Sequence, residues 1–164
     1  MPDVVAIALR FLHIMFAIAW VGAVIFGVVV LRVVMPKVEP PSRKAVLLRL
    51  LPVNLRYVPL TATFTITFGV LLYAYLDYFN PVNIDALLRV KLLLVALFLA
   101  VGTLSFGMAV PLRAGRKILG HLQEAQCTHM PVMGALQKQF NLGQIIAMAL
   151  LLVVLGLMVA APRV

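Results

Sequence analysis

Residues 11–31 read FLHIMFAIAWVGAVIFGVVVL, an uninterrupted run of 21 uncharged residues between Arg10 and Arg32. As a helix rising about 1.5 Å per residue, the run matches the roughly 30 Å hydrocarbon core of a bilayer. Three further runs follow: 20 residues between Arg56 and Asp77, 21 between Lys91 and Arg113, and 24 between Lys138 and Arg163. Of the 164 residues, 64% are hydrophobic and only 12% charged, where a soluble domain carries about a quarter charged. A water-soluble fold of this size leaves too much area exposed to hide so much apolar surface. The bilayer is the expected solvent.

The second run contains an alternation, Thr61-Ala-Thr-Phe-Thr-Ile-Thr67, that suggests a strand in water. An open strand in lipid strands its backbone groups without partners, so a helix is predicted. The first run has no basic residue ahead of Arg10 and is longer than the apolar segment of a signal peptide, so it reads as a retained helix.

The net charge of +9 is unevenly placed. Ten of the fourteen Lys and Arg residues fall in the connections 32–56 and 113–138, and the other four are Arg10, Arg89, Lys91 and Arg163. By the positive-inside rule these connections are cytoplasmic and both termini lie outside. The basic loops lack the interleaved aromatic residues of a nucleic-acid platform, so no nucleic-acid partner is expected.

The predicted fold class is all-α. It is a polytopic membrane protein, a four-transmembrane-helix bundle in the cell membrane, with both termini outside and residues 1–164 forming one integral membrane domain. The helices are expected at about 4–34, 56–78, 87–113 and 136–162. Met35-Pro-Lys and Glu39-Pro-Pro-Ser stop the first helix. Ser42 then caps a short amphipathic helix, 42–51, lying in the lipid headgroup layer, and a second cytoplasmic amphipathic segment covers 114–130. Small residues recur at packing spacing: Ala19, Ala23 and Gly27 on the first helix, and Ala96, Ala100, Thr103 and Gly107 on the third. Such seams serve packing within the chain or a homodimer face.

His13 is the leading candidate for chemistry, because an ionisable residue inside a span marks a functional site by default. It lies near the outer end of the first run, with Arg10 one turn above and Trp20 below on nearly the same face. Lys91 enters the third helix at comparable depth, with Arg89 just beyond. A neutral imidazole with cations one turn towards water suits haem b: the ring binds iron, and Arg10, Arg89 or Lys91 pairs with the propionates. Trp20 packs in the core or stacks on the porphyrin, and Met15 or Met158 is available as a second axial ligand. The competing reading is a histidine bonded to a neighbouring carbonyl, with the cations snorkelling to the interface. Tyr73, Tyr75 and Tyr78 form an interfacial belt, and Asp77 pairs with Lys91 or Arg89. The second basic connection carries Cys127, His129, Met130 and Met133, soft ligands that suit copper; its alternative reading is a solvated amphipathic loop. A single cysteine excludes an internal disulfide, and no hydrolytic nucleophile set or paired intramembrane carboxylates occur.

Phe11-Leu-His13, Ala17-Ile-Ala-Trp-Val-Gly-Ala23 and Phe26 resemble the opening helix of the copper-resistance D-type membrane proteins. They are also similar to the four-helix membrane protoporphyrinogen oxidases and to haem-binding helices fused to some urate oxidases. Arg89-Val-Lys91-Leu-Leu-Leu is similar to the lysine-bearing start of a later helix in that group. The resemblance implies a haem b ligand at His13 and a propionate or active-site partner at Lys91. Gly102-Thr-Leu-Ser105 stands where an Asn or His is expected, and the second helix has no histidine, which turns the expectation from porphyrin oxidation and copper transport to a cytochrome b-like or accessory role. The expected function is electron transfer by a redox subunit rather than a stand-alone enzyme, with lipid, other membrane subunits and a quinol as partners. A haem-free accessory subunit and a copper-handling protein are the alternatives.

Overall fold

A computed structural model describes residues 3–79, 87–123 and 130–161. Asp3 starts the first helix, α1 (Val4–Ile25), by accepting hydrogen bonds from the Val5 and Ala6 amides at Oδ1, which satisfies two of the donors a helix start leaves unpaired. The helix then widens into a π-helical turn, Phe26–Leu31, and closes through Arg32–Val34 and a 3₁₀ turn, Met35–Lys37. Then come α2 (Pro40–Phe79), α3 (Leu87–Ala109), α4 (Pro111–Gln123) and α5 (Met130–Ala160). No strand occurs among the described residues. The threonine alternation lies inside α2 as predicted, with the Thr61 and Thr65 hydroxyls donating back to carbonyls one turn earlier.

Four helical segments are long and apolar enough to cross a membrane. Each packs beside the spans next to it in sequence, and α5 returns to α1. The spans therefore form a four-cornered bundle with α1 and α3 on a diagonal. The Asp3 carboxylate also accepts from the Tyr75 hydroxyl at 3.0 Å, which joins the start of α1 to the end of α2.

The separate headgroup helix expected at 42–51 is continuous with the span that follows it. Pro40–Phe79 runs as one 40-residue helix, with Pro52 and Pro59 inside it. Each proline removes one ladder bond, and neighbouring helices hold the chain helical across the gap. The helix is about 60 Å long at 1.5 Å per residue, about twice the hydrocarbon thickness. Arg43 fastens its start: Nη2 donates to the Pro36 and Val38 carbonyls, each at 3.0 Å. The third span ends at Ala109, earlier than the expected 113, and α4 begins directly at Pro111. α4 is strongly amphipathic. Leu112, Ala114 and Ile118 are buried against α2, α3 and α5, while Arg113, Arg116 and Lys117 are exposed.

Small residues dominate the deepest positions, and the outside is apolar. Ala62 and Ala96 are 0% exposed, whereas Phe98 is 74% and Val159 62% exposed. This inversion fits a bundle surrounded by hydrocarbon, where helices associate through close backbone approach rather than by hiding large side chains from water. The seam Ala96, Ala100 and Thr103 is buried within the chain, so on α3 it serves intramolecular packing.

Candidate functional site

His13 sits between α1 and α2. Its Nδ1 lies 2.8 Å from the Thr65 carbonyl oxygen, and a carbonyl only accepts, so Nδ1 carries the proton. Nε2 is the ring nitrogen that this bond does not use. The ring fits because residue 69 is glycine: a Cβ there would fall 2.8 Å from His13 Cε1 and 2.9 Å from Nδ1. One turn further along α1, Phe16 meets Phe64 and Phe68 at centroid distances of 4.9 and 5.6 Å. The imidazole is thus half-buried, oriented by a backbone acceptor and bordered by an aromatic cluster. An imidazole whose other nitrogen is tied to a carbonyl is the usual arrangement of a metal-bound histidine.

The other expected site residues are spread out. Arg10 is exposed, one turn from His13, and Lys91 is exposed on α3, across the bundle diagonal from α1. Asp77 and Arg89 have side chains outside the described residues. Met15 is exposed, while Met158 packs against Ala96, Ala100 and Val154. Cys127 and His129, with the Met130 side chain, also lie outside the described residues. Met133 lines a groove at the basic end together with Arg43, Lys44 and His121. Among the described residues no group of three or more His, Cys, Asp or Glu is placed to hold a metal ion.

Trp20 faces the bundle centre at 4% exposure, packed with Val24, Val28, Ala62 and Leu151. It borders a cavity of about 60 Å³ that His13 does not line. Asn54 of α2, Thr103 of α3 and Gln144 of α5 reach the same cavity. The Gln144 amide rests on Gly27 in the π-helical turn, where a Cβ would fall 2.7 Å from Gln144 Oε1. Trp20 and His13 therefore belong to two different places, two turns apart on one helix.

Sequence reading missed Thr65, Gly69, Asn54 and Gln144. The available signal for Gln144 was a polar amide inside the last apolar run, a position where such groups bond across helices. Thr65 acts through its carbonyl and Gly69 through its missing side chain, and neither leaves a signature in residue type. No protein-family model, curated protein or solved structure matches the chain.

Proposed function

We propose that the chain is an integral protein of the cell membrane, with both termini outside and its basic connections in the cytoplasm. Within it, His13 is the ligand of a haem b that carries electrons near the outer face. The single observation behind this reading is the His13–Thr65 bond, which fixes the ring's orientation and engages Nδ1 rather than Nε2; the same bond is what the carbonyl-bonded histidine of the competing reading requires. The donor chemistry fits the group. Arg10, exposed and one turn from His13, is the cation placed to meet a propionate; Lys91 lies across the bundle diagonal and is not beside it. Haem, when bound, supplies one-electron chemistry; the protein sets its potential through the axial ligand and the apolar surroundings. With a haem held near one face, the chain would pass electrons to or from a quinol or a partner subunit on that face, as a subunit of a larger redox assembly.

One observation favours a second reading. Gly69 accommodates the imidazole so closely that His13 also serves as a strut between α1 and α2. In a haem-free accessory subunit that would be its whole role. A copper-handling role would rest on Cys127, His129, Met130 and Met133, of which only the Met133 side chain is described.

The test is a reduced-minus-oxidised absorption spectrum of the detergent-purified chain, beside His13→Ala and His13→Gln. Glutamine keeps a donor for the Thr65 carbonyl but is no iron ligand of comparable strength. A b-type spectrum in the parent chain, lost in both variants while His13→Gln stays folded, is the expected result. Well-folded parent protein without a haem spectrum after haem-replete expression would reject the haem reading in favour of the strut.

A further inference from the structure

The cavity beneath Trp20 gathers polar groups that the bundle itself does not pair. Asn54 and Gln144 come from α2 and α5, and neither side chain makes a hydrogen bond among the described residues. Both residues are half-buried, and an amide drawn partly out of water costs free energy unless something bonds it. Pro59, in the same wall, has no N–H, so the Leu55 carbonyl beside it loses its usual helical donor. The π-helical turn of the first span carries Gly27 against the Gln144 amide, and such turns in membrane helices frequently mark functional sites. Thr103 also lines the cavity, its hydroxyl donating to the Leu99 carbonyl; the rest of the lining is apolar, with no Asp, Glu, Lys, Arg or His among the described residues.

We infer that this cavity binds the carbonyl edge of a neutral, lipophilic ring bearing carbonyl or hydroxyl oxygens, a quinone or quinol. An uncompensated charge is excluded by the lining, because no counter-ion is present to offset its desolvation. Side-chain amides suit both redox forms: they donate to a quinone carbonyl and accept from a quinol hydroxyl. Trp20 offers a flat face for the ring. The volume of about 60 Å³ is a few times the roughly 15 Å³ that one water requires, so it admits the carbonyl edge of the ring rather than the whole headgroup. The apolar exterior of the bundle points to a ligand that arrives dissolved in the bilayer. This inference stands on the cavity alone and does not need haem at His13.

Trp20 is the chain's one tryptophan, so its fluorescence reports on this cavity and nowhere else. Full-length protein in detergent is titrated with ubiquinone-1, beside His13→Ala, Asn54→Leu, Gln144→Met and Gly107→Leu. Gly107 lines the cavity, and a Cβ there meets no atom within 4 Å, so a leucine is accommodated at its base and adds bulk at the cavity wall. Saturable quenching is expected in the parent and in His13→Ala, about tenfold weaker in each amide variant and lost in Gly107→Leu. Quenching that rises linearly without saturation would overturn the inference, leaving ordered water as the amides' partner. Saturation unchanged in Gly107→Leu would overturn it equally, by placing the probe elsewhere. Should the amide variants fail to fold, Gly107→Leu decides alone. Binding retained by a His13→Ala protein that lacks a haem band would separate the fate of this site from that of the haem reading.

Discussion

Gly69 and Gly22 differ in what a single methyl group would meet. At Gly69 the new carbon lands on the His13 ring, whereas at Gly22 no atom lies within 4 Å. Gly69→Ala must push the imidazole away from Thr65 or part α1 from α2, and overpacking of this kind costs about 1–3 kcal/mol. Gly22→Ala should be neutral or slightly stabilising, since alanine is the better helix former. Thermal unfolding of the two variants in the same detergent checks this: a lower Tm is expected for Gly69→Ala alone. Equal melting temperatures would mean that His13 does not hold the two helices together. His13 was legible as a candidate because an ionisable side chain inside an apolar run is conspicuous. A carbonyl partner was one of its two expected readings and is present, but which carbonyl was not legible, since one on another helix becomes a neighbour only once the two helices have a register.

Among the elements, the prolines and the basic residues of the first connection predict a stop and a surface helix. The stop at Met35-Pro-Lys is present as a 3₁₀ turn. The gap expected between 51 and 56 is absent because Pro52 and Pro59 interrupt the ladder of α2 without ending it. Local sequence shows where a helix loses a bond, but the packing that carries it across the loss comes from other elements. Arg43 supplies part of that support where α2 begins. Replacing it with methionine keeps the aliphatic stem and removes the donors to the Pro36 and Val38 carbonyls, a loss of about 1–2 kcal/mol. Arg43→Met should therefore speed proteolytic cleavage near residues 36–39 while leaving the helical content of the bundle unchanged. Unaltered cleavage would show that the turn holds without Arg43.

For the whole molecule, four helices long and apolar enough to cross a membrane were legible because hydropathy and length alone decide that. The cavity was not legible, because it needs residues from all four spans: Trp20, Asn54, Thr103 and Gln144 are separated widely in sequence and meet only in the assembled bundle. The proposed orientation has a direct check. Cys127 is the chain's one cysteine, and it lies in a connection assigned to the cytoplasm. A membrane-impermeant maleimide should label it in inverted vesicles and leave it unlabelled in intact cells. The reverse pattern would turn the bundle over and move His13 to the cytoplasmic side.

The π-helical turn at Phe26–Leu31 sets the rotational phase of the first span. Trp20, Val24 and Val28 all face the core at intervals of four residues. On a regular α-helix a four-residue interval overshoots a full turn by about 40°, so such a stripe drifts steadily around the axis. The wider turn takes up part of that drift and keeps Gly27 and Val28 aimed inward. Deleting one residue between 26 and 31 would let the wide turn close as an ordinary α-helical turn with Arg32 near its present angle, whereas a deletion in the regular helix before it would swing everything beyond by about 100°. Six residues of unusual winding thus act as a gear tooth, coupling the angular position of Trp20 in the bundle centre to that of the basic turn at its end.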